Sequence, residues 1–219
     1  MSDPLNKPPT LLGLSTSNAV MMTIFTLAFT ALMAGTYLAT KTTIAASAET
    51  EKLRLINEVF DPASYDNALL QDSLKLGPTP ELGLDNGGEI WRARKAGQPV
   101  AVVMEVVAPD GYAGKISLVL AIGADGTVGG VRVTEYRETP GLGDYIDPKK
   151  DKNKAAPWIE QFRGKSPATL PLEKWKVQKD GGDITYRTGA TISPRAVTNA
   201  VARAVKYAQD KRATLFAQE

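Results

Sequence analysis

The sequence predicts an α+β protein: one apolar helix near the N-terminus, then a single domain with a mainly antiparallel sheet and a C-terminal helix. Three observations carry that prediction. No residue between Lys7 and Lys41 bears a charge. Runs rich in β-branched residues recur between residues 90 and 135, joined by short turns. From Ser193 onward, apolar residues return at helical spacing.

Composition narrows the chemistry before any motif is read. Of 219 residues, 43% are hydrophobic and 23% charged, enough apolar material for a packed core and a length that suits one domain with an appendage. The net charge is +2 with no dominant basic cluster, so a nucleic acid is not an expected partner. Cysteine and histidine are both absent. That removes disulfides, thiolate nucleophiles, iron–sulfur ligation, Ser-His-Asp triads and imidazole metal ligands. No metal site and no catalytic residue of the chain's own is expected. Carboxylates, lysines, hydroxyls and a borrowed cofactor remain.

Residues 18–40 read as a transmembrane helix, because at ~1.5 Å rise per residue they cover the ~30 Å hydrocarbon core. A cleaved signal peptide is the rival, with Ala46-Ser47-Ala48 as its cleavage site. It would need a shorter apolar stretch and a basic leader, whereas Lys7 is offset by Asp3. A buried core helix would be apolar on one face, and this stretch is apolar all round. Lys7 on one side, with Lys41, Lys52 and Arg54 on the other, leaves orientation undecided by charge.

Residues 41–89 read as stalk and linker. Leu53, Ile56, Val59 and Phe60 recur at helical spacing until Asp61-Pro62 stops the helix, and a breaker-rich stretch follows over residues 77–88. The folded core, residues 90–219, is expected to open near Ile90. Residues 90–95 and 100–107 form one hairpin. Residues 115–122 and 127–135 form a second, around Asp125-Gly126. Residues 137–157, with the Lys149 to Lys154 charge run, read as a long surface loop. Pro157 opens a short helix, and the last helix has Ser193 as N-cap, Pro194 at its first position and the stripe Val197, Val201, Ala204, Val205, Ala208. No internal repeat occurs.

The segment that bears on chemistry is Thr188-Gly189-Ala190-Thr191, directly before that helix. Gly189 and Ala190 are small enough to admit a bulky group. Thr191 places a hydroxyl where free N–H groups and the helix dipole favour an anion such as a phosphate. Taken alone, the tetrapeptide reads most simply as a turn and a cap.

With Ile192-Ser193-Pro194-Arg195-Ala196-Val197 after it, the tetrapeptide resembles the [S/T]-G-A-T signature of the FMN-binding domain family, in which FMN is held by a phosphoester to the last threonine, here Thr191. Upstream, Glu138-Thr139-Pro140-Gly141-Leu142-Gly143-Asp144 and the Trp158, Phe162, Gly164, Lys165 pattern resemble two segments of one branch of that family. That branch comprises the G subunits of Rnf (Rsx) complexes, inner-membrane ferredoxin/NAD oxidoreductases coupled to ion movement. The resemblance spans roughly residues 100–208.

The resemblance implies one covalent FMN per chain, attached by a separate flavin transferase that uses FAD and a divalent metal. Thr191 is then a tether, with Thr188, Gly189, Ala190, Glu138, Thr139, Pro140, Gly141, Leu142 and Gly143 around the flavin. It implies a membrane-anchored electron carrier, the redox subunit of a translocase without independent turnover. Its partners would be the A, B, C, D and E subunits, the transferase and membrane lipid. Residues 1–17 would be cytoplasmic and the FMN-binding domain extracytoplasmic, on the periplasmic side of the inner membrane.

Arg187 and Lys165 are candidate neighbours of the phosphate or the reduced flavin, and Tyr112, after Gly111, falls where the family has a Gly-Tyr pair. Two positions depart from the family. Thr185 stands where relatives commonly have an aspartate, the nearest acid being Asp183, and Tyr136-Arg137 replaces a frequent histidine. Three other readings compete. The C subunit of the sodium-translocating NADH:quinone reductase shares the threonine motif; a bitopic scaffold would lack flavin; a hydrolase would use Asp144 and Asp147 as a carboxylate pair.

Overall fold

In the computed structural model, which describes residues 11–217, the chain divides into two compact units after Glu51. The apolar span and the expected stalk are one continuous helix, α1 (Leu11–Val59). No proline interrupts it, and it ends where Asp61-Pro62 forbids continuation. The Asp61 carboxylate then accepts the Ala63 N–H at 2.9 Å and caps a 3-10 turn, Pro62–Ser64. Residues 15–51 expose every side chain, and the helix is long and apolar enough to cross a membrane. Thr23, Thr26, Thr36 and Thr40 each donate to the carbonyl four residues back at 2.8 Å, which satisfies these hydroxyls within the helix, as an apolar surrounding requires.

The second unit begins at Lys52, well before Ile90. Its sheet is an antiparallel meander of five strands in sequence order: β1 (Ser73–Leu76), β2 (Gly88–Lys95), β3 (Gln98–Ala108), β4 (Ile116–Gly123) and β5 (Val128–Glu135). The two expected hairpins are β2–β3 and β4–β5. The strand absent from the sequence reading is β1, which pairs Ser73 with Trp91 inside the stretch assigned to the linker.

Successive side chains on a strand point to opposite faces, and here both faces are covered. On β3, Val102, Met104 and Val106 join Leu118, Leu120 and Ile122 of β4 under the C-terminal helix. Ala101 and Val103 point the other way, with Trp91, Val119 and Ala121, and pack against Ile56, Val59 and Leu69. The end of α1 therefore closes the second face, which is why the stalk is part of the core.

The C-terminal helix α2 (Ile192–Asp210) buries Ala196, Ala200, Ala204 and Ala208 beside Val197, Val201 and Val205. Alanines four apart let the helix lie close on the sheet. A short helix, α3 (Arg212–Leu215), follows and buries Leu215. Helix α2 starts one residue before the expected cap. Thr191 occupies the cap position without capping through its side chain, and the Ser193 hydroxyl is engaged elsewhere. Pro194 still falls in the first turn, where its missing N–H leaves no bond unmade.

The stretch 137–157 is not wholly a surface loop. A 3-10 turn, Gly143–Ile146, buries Gly143, Tyr145 and Ile146, and Asp151 within the lysine run is fully buried. The helix after Pro157 is a 3-10 helix, Trp158–Phe162, that buries Trp158, Ile159 and Phe162.

One ion cluster fastens β1 to β2. The Asp72 carboxylate meets Arg92 Nε and Arg94 Nε at 2.6 Å each. Burial raises its pKa, but hydrogen bonds and charge from both arginines outweigh burial and hold it below the ordinary carboxylate value. A depressed folded-state pKa contributes stability above the unfolded value of ~3.9, lost as pH falls through the lower folded value. Asp72→Asn is therefore expected to cost about 1–3 kcal/mol at pH 7. Urea melts at pH 7 and near pH 3 check this: the gap to the wild type narrows in acid.

Candidate functional site

The residues before α2 are held at both ends. The Thr185 N–H and hydroxyl both donate to Gln161 Oε1, at 2.9 and 3.0 Å, and the Trp158 indole N–H donates to the Thr185 carbonyl at 2.7 Å. A turn then runs from Arg187 to Ala190, closed by the Ala190 N–H on the Arg187 carbonyl at 3.1 Å. Gly189 has φ +86°, a conformation that side-chain-bearing residues rarely adopt. The turn delivers Thr191 to the start of α2 with its hydroxyl not engaged in capping. A hydroxyl oxygen thus sits at the positive end of a 19-residue helix.

The facing wall is the loop from Glu138 to Gly143. Glu138 is 5% exposed, and its carboxylate accepts the Ser193 hydroxyl at 2.6 Å and the Ala113 N–H at 3.3 Å. One carboxylate thereby joins this loop, the segment after Gly111 and the first turn of α2. Gly143 is required by close approach: a Cβ there would lie 2.3 Å from Ser193 Oγ and 2.9 Å from Glu138 Oε2.

Between the walls lies a cleft of about 150 Å³. Glu138, Thr139, Leu142 and Gly143 line one side, Gly189, Ala190 and Thr191 the other, with Ile192, Ser193 and Tyr112 completing it. Beyond α1, the large hydrophobic side chains exposed among the described residues are Tyr112 at 66%, Leu142 at 53% and Ile192 at 43%. All three line this cleft. An apolar rim beside a hydroxyl and a helix N-terminus fits a ligand with a flat aromatic part and a phosphate, as FMN has.

Three residues of the sequence-based set stand outside the cleft: Thr188, Pro140 and Gly141. Gly141, at φ +77°, shapes its loop by donating its N–H to Asp144 Oδ1 at 2.9 Å. Asp147 accepts the Tyr136 hydroxyl at 3.2 Å and the Lys149 N–H at 2.8 Å. Tyr136 is pushed up to about 12 by burial and by the Asp147 charge. Asp144 and Asp147 are thus engaged in separate local bonds, which gives the hydrolase reading no support. Lys165 lies outside the cleft, its carbonyl accepting the Val128 N–H. Arg187 places its guanidinium 4.3 Å from the Tyr145 ring centroid and pairs with the buried Asp151. Ser193, Tyr145 and Asp151 are the residues that sequence reasoning missed. Asp151 lies in a lysine-rich run that reads as solvated, and nothing local signals its burial.

An α+β domain with this cleft is an FMN-binding domain, and the family model of that description matches residues 111–206. A second family model, the RnfG N-terminal region, matches residues 15–59. The chain is 39% identical over 201 residues to the G subunit of the ion-translocating oxidoreductase complex of Vibrio atlanticus, covering 92% of this chain and 93% of that one. It is 43% identical to the Escherichia coli K12 counterpart, covering 90% and 93%, and 44% identical to that of Cronobacter sakazakii, covering 88% and 89%. The chain belongs to this family, the G subunits of ion-translocating oxidoreductase complexes. That kinship favours this branch over the quinone reductase C subunit.

Proposed function

We propose that this protein is an electron-carrier subunit of an Rnf-type complex, holding one FMN in phosphoester linkage to Thr191 and working beside the A, B, C, D and E subunits in redox-coupled ion translocation. The observation that carries this reading is the exposed apolar rim of Tyr112, Leu142 and Ile192 around the Thr191 hydroxyl. When bound, FMN supplies the electron-accepting and electron-donating ring that a chain without cysteine or histidine lacks.

The chain's residues do the holding. Thr191 supplies the tether oxygen. The start of α2 directs its dipole and its first N–H groups at the phosphate. Gly189 lets the backbone turn away from the ligand, while Leu142, Ile192 and Tyr112 offer apolar surface to the ring. Thr139 adds a second hydroxyl on the facing wall. Attachment is by a flavin transferase with FAD as donor. No turnover is expected from the chain alone, whose class is that of a translocase subunit.

Residues 18–40 of α1 form a single-pass anchor in the inner membrane, with residues 1–17 cytoplasmic and the FMN-binding domain periplasmic. A covalent tether suits that side, since a flavin that dissociated there could not be replenished from the cytoplasm. The test is the intact mass of the membrane-extracted chain co-expressed with a flavin transferase. A mass gain of one FMN ester is expected. An unmodified chain would leave a bitopic scaffold without flavin.

A further inference from the structure

Resting on the attachment of FMN to Thr191, we propose that Tyr145, Arg187 and Asp151 form a clamp that holds the Thr191-bearing turn in the geometry the attachment reaction uses. The turn has little backbone support of its own. A single backbone hydrogen bond closes it, from the Ala190 N–H to the Arg187 carbonyl, and Gly189 gives it freedom that other residues would remove.

The buried Tyr145 hydroxyl fixes both ends. It accepts the Arg187 N–H at 3.0 Å, just before Thr188, and donates to the Ala190 carbonyl at 3.1 Å, just before Thr191. The Arg187 guanidinium lies over the Tyr145 ring at 4.3 Å and pairs with the fully buried Asp151 carboxylate. That carboxylate also accepts the Trp158 N–H at 2.7 Å and the Asn153 N–H at 2.8 Å. Burial raises the Asp151 pKa, and these three donors outweigh burial and lower it, so the carboxylate is ionised at neutral pH. The Tyr145 ring meets Trp158 edge-on at 5.7 Å, and the Trp158 indole holds the Thr185 carbonyl. The clamp is therefore anchored in the core, and its free end is the turn.

Attachment forms a bond between Thr191 Oγ1 and the FMN-side phosphorus of FAD. The pyrophosphate bond breaks, AMP leaves and the hydroxyl proton passes to solvent, with no change of oxidation state. The chain's contribution is orientation of one hydroxyl, where a displacement of about 1 Å can cost about 100-fold in rate.

Tyr145→Phe tests this, because it keeps the ring and its packing and removes one oxygen. The full-length flavin-free chain, in detergent, is incubated with flavin transferase and varied FAD, and attachment is followed by in-gel fluorescence and intact mass. The maximal rate is expected to fall about 10- to 100-fold, with the FAD concentration for half-maximal rate unchanged. Arg187→Gln, at a half-exposed side chain, is expected to slow attachment as well, and it carries the test if Tyr145→Phe does not fold. Phe162→Leu, which loosens the same core and leaves the hydroxyl in place, is expected to keep the wild-type rate.

Wild-type rates in Tyr145→Phe, or in Arg187→Gln where Tyr145→Phe does not fold, would overturn the clamp. Equal slowing in Phe162→Leu would do the same, by making attachment a matter of general stability. A wild-type chain that takes up no flavin would overturn instead the reading beneath it, and the clamp with it.

Discussion

Thr191→Ala is expected to carry no covalent flavin and to melt with the wild type. These two effects are separable because of how α2 begins. Replacing a capping threonine by alanine costs about 0.5–2 kcal/mol when its side chain bonds the first turn. Thr191 makes no such bond, and Ser193 and Glu138 fasten that turn instead. The stability change is therefore expected to stay within about 0.5 kcal/mol, while the FMN ester is lost completely. Intact mass and in-gel fluorescence read the first quantity, and a denaturant melt reads the second. The other hydroxyls near the cleft are those of Thr139, Ser193 and Tyr112 on its lining and Thr188 just outside it. An adduct that survives in Thr191→Ala would move the tether to one of them. A melt lowered by more than about 1 kcal/mol would show that the Thr191 hydroxyl does cap.

The sheet was legible because β2 to β5 are long, rich in β-branched residues and joined by short turns. What the pattern could not say is which side of each strand is covered. With both faces buried, Val102, Val103 and Met104 read as one apolar run, and nothing in the run says that Val103 points at Ile56 while its neighbours face α2. For the same reason the stalk read as separate from the core. Leu53, Ile56 and Val59 show an amphipathic face, and only the uncovered face of the sheet explains what that face packs on. Strand β1 escaped notice because it is only four residues long, too short for its alternation of polar and apolar residues to stand out beside the prolines and glycines that follow.

The site divides in the same way. Its two loops were legible as motifs, each on its own wall of the cleft. Their meeting was not, because it depends on a hydrogen bond between Ser193 and Glu138, 55 positions apart. Ser193 read as a cap for a sound reason: serine before a helix bonds the first turn more often than anything distant. At Thr185, where the resemblance implied an aspartate, the structure anchors the position on Gln161 Oε1. The part of the site set by neighbours in sequence could be read, and the part set by contacts across the fold could not.

The Glu138–Ser193 contact also makes Gly143 hard to replace. In Gly143→Ala, a Cβ 2.3 Å from Ser193 Oγ and 2.9 Å from Glu138 Oε2 cannot be accommodated without parting the two, and both belong to the walls. The overlap and the loss of a buried, charge-assisted hydrogen bond are together expected to cost about 2–4 kcal/mol, with flavin attachment falling as the walls shift. Gly141, two residues earlier, separates steric conflict from backbone strain. A Cβ there meets nothing within 4 Å, so Gly141→Ala carries only the penalty of φ +77°, about 1–2 kcal/mol. Ser193→Ala removes the atom that Gly143→Ala strikes hardest. Combined with Gly143→Ala it is expected to give a chain more stable than the two separate losses predict, with a coupling of about 1–2 kcal/mol. Combined with Gly141→Ala it is expected to be additive. Urea denaturation of the single and double variants measures both couplings. A Gly143–Ser193 coupling indistinguishable from zero would mean that the walls are not joined through this contact, and that Glu138 reaches the cleft by another route.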